Sequence, residues 1–312
     1  MTLANDDQPL ISVVTVTHNS SHKMPSWLAG IEASGAREKM EICIVDSGSS
    51  ADELRRTKEL TGGHVDKFLE LPNVGYGAAS NAGAENTSAA VLLFMNPDNE
   101  VLSLPAQALS GAGLKGEIIG AFARNPDRPM AYTNFPTFGE EAQRLTIGAW
   151  IRTYGRTTVE PAWVAGAAML IERDEFKRLG GFSDAFFLYF EDADLCARHR
   201  AGGGKVQIAE DFIVKHTRGD STTEESHSNL KGAVDSINHQ SARHFASRHG
   251  APWQGAVLYG LLVVAYLPRR FLVEVLRERR PVTEAVEHCR CLLSPRRALR
   301  QLDAVPPGAS RA

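Results

Sequence analysis

The chain has 312 residues, 43% hydrophobic and 23% charged, the balance of an ordinary soluble globular protein with room for one large domain and an appendage. A formal net charge of −3 removes any whole-molecule electrostatic case for nucleic-acid binding, although Arg269 to Arg300 is strongly basic. The four cysteines, Cys43, Cys196, Cys289 and Cys291, are scattered and give no disulfide framework, and Met1 to Leu10 lacks the apolar core of a signal peptide, so a reducing cytoplasmic setting is expected.

Ile11 to Thr17 is a β-branched run that stops at His18-Asn19-Ser20, which reads as a buried strand entering a polar loop. A helix is expected over Trp27 to Ala36, a strand over Met40 to Val45 and a helix over Ala51 to Leu60. A strand near Val65 to Leu71, a small-residue helix from Ala78 to Glu85 and an apolar strand from Ala89 to Met95 follow. Alternating strands and helices imply an α/β fold with a mostly parallel sheet and right-handed crossovers, whose ligands bind beyond the carboxyl ends of the strands. All four strands end there in polar or Gly-rich turns.

Gly111 to Thr158 is less regular and rich in aromatics, among them Tyr132, Phe135, Phe138, Trp150 and Tyr154, with a strand near Ile118 to Ala123. Trp163 to Ile171 reads as one strand, Arg173 to Leu179 as a short helix, Glu191 to Ala201 as a helix ended by Gly202-Gly203-Gly204, and Lys205 to Ala209 and Phe212 to His216 as two strands. Ser236 to Ser247 reads as a polar helix. The apolar run Ala256 to Leu267 is shorter than the roughly 20 residues a spanning helix needs, and Pro268 is expected to stop it before a basic amphipathic helix over Phe271 to Arg280. The division expected is 1–228 for the α/β domain and 229–312 for a helical, basic extension. That extension either packs as a helical pair or lies in an anionic lipid leaflet, with Tyr259 and Tyr266 at the interface and arginines on phosphates.

The stretch Phe186-Phe187-Leu188-Tyr189-Phe190-Glu191-Asp192-Ala193-Asp194 steps abruptly from apolar to acidic. Acids in a first helical turn satisfy the helix dipole. A carboxylate at a helix start in a half-apolar pocket also suits a general base, because burial lifts its pKa toward working pH. Asp46 either caps the helix after it or accepts from a ribose hydroxyl or a base N–H. The small residues of Asn73 to Gly83 allow close backbone approach to a ligand and equally allow tight helix–sheet packing. Asp98, after Asn96-Pro97, is a turn former or one oxygen ligand of a hard cation such as Mg²⁺ or Mn²⁺. His216 is a structural histidine or a partner of Asp98, with Lys215 and Arg218 near phosphate oxygens. The loop His18 to Lys23 is a poor match to the Gly-rich, basic grip on a triphosphate that a nucleotidyltransferase requires.

Together these turns resemble glycosyltransferase family 2, the inverting nucleotide-sugar-dependent enzymes with the GT-A fold. The resemblance covers roughly residues 10 to 225. It rests on Val-Val-Thr-Val-Thr-His-Asn at 13–19, Ile-Val-Asp-Ser-Gly-Ser at 44–49, Asn-Val-Gly-Tyr-Gly-Ala-Ala-Ser-Asn-Ala-Gly at 73–83, Phe-Met-Asn-Pro-Asp at 94–98, Gly-Gly-Phe at 180–182, the 186–196 stretch and His216. It implies Asp192 as catalytic base with Glu191 beside it. It also implies Thr17, Asn19, Asp46, Asn73, Gly75, Asn81 and Asn96 around the nucleotide-sugar, Asp98 and His216 at a divalent cation, and Trp163, Gly166 and Asp194 on the acceptor side. Asn96 departs from the family pattern by standing where the first acid of the metal-binding turn often stands. The Asn-Pro-Asp and Phe-Glu-Asp-x-Asp-Leu pattern is similar to bacterial rhamnosyltransferases acting on polyprenyl-diphosphate-linked sugars. It implies L-rhamnose transfer from dTDP-rhamnose to a lipid-linked or cell-envelope glycan at the cytoplasmic face of the membrane. Ala123 to Arg128 resembles the same subgroup. Two other readings stay open: another donor sugar (galactofuranose, glucose or an N-acetylhexosamine), and a catalytically silent sugar-nucleotide-binding protein.

Overall fold

Strand β1 (Ile11–Thr17) lies between two parallel neighbours, β2 (Met40–Ser47) and β4 (Val91–Met95), and its β-branched side chains are buried on both faces. A computed structural model describes residues 8–124, 131–132, 134–147, 161–216 and 227–294. The chain divides into two units: residues 1–134, 155–184 and 191–219 form one, and 135–154, 185–190 and 220–312 form the other.

The first unit is built on an eight-stranded sheet of order β3-β2-β1-β4-β9-β6-β10-β5. With β3 (Lys67–Leu71), the first four strands are parallel. Helices α1 (Met24–Ala33), α2 (Ala51–Thr61) and α3 (Tyr76–Glu85) connect them. The small residues of α3 serve tight packing, since a Cβ on Gly83 would sit 2.4 Å from Val14 Cγ1. The mostly parallel α/β expectation holds in this half.

The other half is mixed. β9 (Ala168–Glu172) runs antiparallel to both β4 and β6 (Ile118–Ala123), and β10 (Val206–His216) is parallel to β6. β5 (Asn99–Ser103), which the sequence pattern did not suggest, pairs antiparallel with β10 at the edge. The strand expected over 163–171 is broken. Trp163–Val164 (β8) pairs with Ala131–Tyr132 (β7), and residues 165–167 form a loop before β9. The two strands expected over 205–216 are one strand, with a register shift between Ala209 and Ile213 against β6. Short helix α6 (Arg173–Arg178) and α7 (Glu191–Ala201) complete this unit.

The second unit is helical. It holds α5 (Phe138–Ile147), which falls in the stretch expected to be irregular, and α8 (His227–His249), longer than expected at both ends. A continuous helical stretch over Gln254–Arg277 and a last described helix over Val282–Leu293 follow. Leu145, Ala246, Leu258, Leu262, Leu267 and Leu292 form its apolar core. Pro268 does not end the long helix. The ladder already jumps by five residues at Leu262–Tyr266, where Leu267 N donates to Leu262 O, and a second such turn covers Val273–Arg277. The wider turn keeps Leu258, Leu262 and Leu267 on one buried face and absorbs the donor that proline lacks. Trp150, Tyr154, residues 125–128, the loop 217–221 with Arg218, and the basic residues from 295 onward lie outside the described residues.

Candidate active site

Strands β1, β2 and β4 deliver their terminal polar residues to one edge of the sheet. Thr17 and Asp46 are register partners there, and the Thr17 hydroxyl donates to Asp46 Oδ2 at 3.2 Å. Asp46 Oδ1 accepts from Ser49 N at 2.9 Å, which fixes the turn, while Ser50 is the residue that caps α2 by accepting from Glu53 N. Asn19 sits at φ 49°, its N–H donating to Ser49 Oγ and its Oδ1 accepting from Ser50 N. Asn73 lies against Gly48, where a Cβ would meet Asn73 N at 2.6 Å, and Gly75 opens α3 at φ +86°. Thr17, Asn19, Asp46, Asn73 and Gly75 thus share one lip of the sheet.

The turn after β4 and the loop 165–167 are locked together. Asn96 N donates to Ala167 O at 2.9 Å, and the fully buried Asn99 donates through Nδ2 to the same carbonyl at 2.6 Å. The neighbouring residue Gly166 donates its N–H to Asp192 Oδ2 at 2.9 Å and accepts from the Tyr76 hydroxyl at 2.7 Å. Two adjacent residues therefore tie the Asp98 turn to the start of α7. A Cβ on residue 166 would lie 3.3 Å from Tyr76 Cε1 and 3.4 Å from Asp192 Cβ, so glycine is what allows this approach. Burial, its largest cause, raises the Tyr76 phenol pKa, and the charges of Glu191 and Asp192 and, more weakly, of Asp98 from a distant turn raise it further.

The acidic pair at the start of α7 is not symmetric. Burial pushes the Asp192 carboxyl up to about 6, and the N–H groups of Gly166 and Ala193 (2.9 and 2.7 Å) hold it from rising further. Glu191 is 5% exposed, its Oε2 has no hydrogen-bond partner, and burial followed by the Asp192 charge raises its pKa well above the usual carboxylate range. Burial and the Asp192 charge favour the neutral form of Glu191, so Asp192 is the first of the pair to lose its proton.

Some expected residues hold the scaffold instead. Asn81 makes both amide bonds to Phe182, Nδ2 to O at 2.8 Å and Oδ1 from N at 2.9 Å, and so pins the Gly180-Gly181 turn. Asp194 is fully buried with Arg198 Nε at 2.8 Å, and Arg198 also donates to Leu179 O and Gly181 O, so its carboxylate is closed to an acceptor. Trp163 stacks on Tyr132 with ring centroids 3.9 Å apart and donates to Asn134 O. The backbone of His216 pairs with Asn99, beside the Asp98 turn.

The donor set tests the expected cation. Asp98 is the carboxylate of its turn, and Lys23 Nζ lies 3.7 Å from its Oδ2. Among the described residues no group of three or more His, Cys, Asp or Glu side chains converges to hold a metal ion. A hard cation takes most of its ligands as oxygens, often carboxylates, and here position 96 is an amide while an ammonium faces Asp98. The described residues do not assemble a metal centre. Residue-by-residue reading of the sequence missed Tyr76, Lys23 and Asn99. Tyr76 stood inside the 73–83 motif, and only the fold brings Lys23 to the Asp98 turn.

Residues 12–104 match the family model described as Glycosyl transferase family 2. The chain carries a glycosyl transferase family 2 domain. It is a glycosyltransferase. Among curated proteins it is similar to the N-acetylglucosaminyl-diphospho-decaprenol L-rhamnosyltransferase of Mycobacterium tuberculosis, 24% identical over 279 residues, or 80% of this chain and 88% of the relative. Rhamnosyltransferase WbbL of Escherichia coli is 36% identical over 63 residues, 20% of this chain and 23% of that one. The mannosyltransferase PcManGT of Pyrobaculum calidifontis, solved with GDP-Man and Mn²⁺, superposes with a TM-score of 0.51 at 15% identity, covering 92% of this chain and 86% of that one. That likeness establishes the shared GT-A fold, here with a helical C-terminal region.

Proposed function

We propose that this glycosyltransferase is an inverting one that moves a sugar, L-rhamnose from dTDP-rhamnose, onto a saccharide linked through diphosphate to a polyprenol. The observation that carries the chemistry is Asp192: a buried carboxyl whose pKa is pushed up to about 6, oriented by two backbone N–H groups beside Glu191, whose pKa burial also raises. The choice of sugar and acceptor draws on the mycobacterial relative, whose name specifies rhamnose and a diphospho-decaprenol acceptor.

In the mechanism, Asp192 removes the proton from an acceptor hydroxyl as that oxygen attacks the anomeric carbon. The carbon–oxygen bond to the diphosphate breaks on the opposite face, which inverts the centre, and the proton ends on Asp192. Base catalysis of this kind contributes on the order of 10²–10⁴-fold. Tyr76 and Gly166 fix the base, Asn96 and Asn99 brace the loop that carries Gly166, and Thr17, Asn19, Asp46, Asn73 and Gly75 form the nucleoside side. A divalent cation at Asp98 and His216, as the resemblance implies, would add Lewis-acid help to the leaving diphosphate.

The long helix Gln254–Arg277 suits the surface of a membrane rather than its interior. At about 1.5 Å per residue it is long enough to cross, but Leu258, Leu262 and Leu267 are buried in the helical core, which leaves only its other side for lipid. Outside that core, Val264 is 77% and Leu276 73% exposed, with Arg269, Arg277 and Arg279 nearby in sequence to meet headgroup phosphates. This reading assigns the region from 229 onward to membrane contact and the enzyme to the cytoplasmic face.

The test is a donor screen by mass spectrometry with N-acetylglucosaminyl-diphospho-polyprenol as acceptor. Rhamnose transfer from dTDP-rhamnose is expected. Transfer from only another nucleotide-sugar would replace the rhamnosyl assignment, and donor binding without turnover on any acceptor would remove the enzyme reading of the site.

A further inference from the structure

Transfer releases a nucleoside diphosphate, so the site must offset charge that builds on the leaving oxygens. The acidic turn offers little of the usual help. Position 96 of that turn is an amide, and its one carboxylate, Asp98, is only 16% exposed and faces Lys23 Nζ at 3.7 Å. Lys23 is itself only 13% exposed, an unusual degree of burial for a lysine. It ends the short turn Ser21–Lys23 and is the residue preceding α1, whose backbone N–H groups add positive potential at the same place. The turn is held by Lys23 N to Ser20 O at 3.0 Å and by Ser26 Oγ to Lys23 O at 3.0 Å, which fixes the root of the side chain. β1 and β4, which lead into Lys23 and Asp98, are adjacent parallel strands, so both residues rise from the same edge of the sheet as Asp46 and Asn19.

We propose that Lys23 is the resident cation of this site and binds the diphosphate of the donor. The inference rests on the glycosyltransferase reading above and deepens it by naming what neutralises the leaving group. An ammonium has three donors. The ion pair with Asp98 keeps the chain extended toward the turn and leaves its donors for phosphate oxygens. Asp98 in this arrangement is a positioning residue for Lys23. Among the acids gathered here, Lys23 supplies a positive charge that a diphosphate can meet. A consequence follows for divalent ions: they compete with Lys23 for Asp98, and nucleotide binding persists without them.

The experiment is calorimetric titration of the full chain with dTDP and, separately, UDP, in EDTA and in Mn²⁺. Wild type is expected to bind one of the two in EDTA. K23M and K23Q are expected to bind it about tenfold more weakly or worse, the cost of one charge-assisted hydrogen bond to phosphate. K23R, which keeps the charge, is expected to stay within about threefold of wild type. Thermal melts of the three variants separate loss of charge from loss of fold, and K23R must melt with wild type. Binding by wild type only in Mn²⁺, or equal affinity of folded K23M and wild type in EDTA, overturns the role of Lys23 and leaves the enzyme reading intact. If neither nucleotide binds wild type under either condition, the nucleotide-sugar reading of the whole cleft falls and this inference with it.

Discussion

The two units treat their apolar residues in opposite ways. In the sheet unit, β1, β2 and β4 are enclosed on both faces, and Val74 and Phe122 are the large apolar side chains most open to solvent among its described residues. In the helical unit the long helix alone exposes Val257, Val263, Val264, Leu272 and Leu276. Scattered exposed apolar residues are ordinary, but a run along one helix marks an interaction surface. The first unit turns its hydrophobicity inward and gathers charged and polar residues at the ends of its parallel strands. The second keeps a small core and turns the rest outward. If the proposed lipid contact holds, chemistry and location lie in separate parts of the chain, and each can be broken without the other.

The largest effect belongs to the cleft. Asp192→Asn keeps the shape of the base but removes its ability to take a proton, and turnover should fall by about 10³-fold or more. Affinity for dTDP should change little, and sedimentation with anionic vesicles should not change at all. A variant that still turned over at near-normal rate would remove Asp192 from the role.

A change in the helical unit should have the reverse signature. Replacing Val264 and Leu276 together with glutamate puts two charges on the face assigned to lipid. Partitioning onto vesicles containing anionic lipid should drop by at least about tenfold, given that burying each such side chain is worth about 1.5–3 kcal/mol. Turnover on a short, water-soluble acceptor should be preserved. Wild-type binding should also weaken as salt rises, because arginine–headgroup attraction is screened. Unchanged partitioning of the double variant would turn that face over to some other use.

The same contrast explains what the sequence made legible. The parallel half of the sheet was readable because β-branched runs such as Ile11–Thr17 and Met40–Ser47 are buried on both faces and end in turns rich in Asp, Asn and Gly. The mixed half was harder. β5 begins Asn-Glu and lies at an edge, where pairing with β10 outweighs weak strand propensity. The break at 165–167 was hidden by continuous small and apolar residues from Trp163 to Ile171, yet that break is what aims Gly166 at Asp192. Asp192 and Glu191 stood out by their step from apolar to acidic. Asp194, one helical step further, looked equivalent, and only the fold shows that Arg198 closes it off. In the helical unit Pro268 misled because proline's usual effect assumes a regular i to i−4 ladder, and two wide turns sit in this one. Lys23 carried no local signal, since its meaning comes from a turn far away in sequence.

Within the cleft, Gly166→Ala tests the brace rather than the base. The added methyl meets Tyr76 and Asp192 at 3.3–3.4 Å, so one of them must yield by a few tenths of an ångström. A shift of that size at a general base should cost about tenfold in kcat, with KM for the donor little changed, because small misplacements fall on the transition state. Equal kcat would mean that the loop adjusts freely and that Gly166 is not what sets the carboxylate.

The smallest effect is the most informative about the acidic pair. The rate should rise with pH through about 6 as Asp192 loses its proton. Glu191→Gln replaces an acid whose neutral form burial favours with a neutral amide of the same shape, so that rising limb should stay within a few tenths of a unit. If Glu191 were instead charged, removing it would drop the limb by about a unit or more, since like charges at this range raise each other. Stability supplies an independent reading. A group whose folded pKa is raised holds a proton that the unfolded chain releases above about 4.5. It therefore costs stability increasingly as pH rises past that value and costs none below it. Glu191→Gln should accordingly melt higher than wild type at pH 8 and level with it at pH 4. A melting difference that ignores pH would show that Glu191 is ionised in the folded protein, and the division of labour between the two carboxyl groups would have to be reversed.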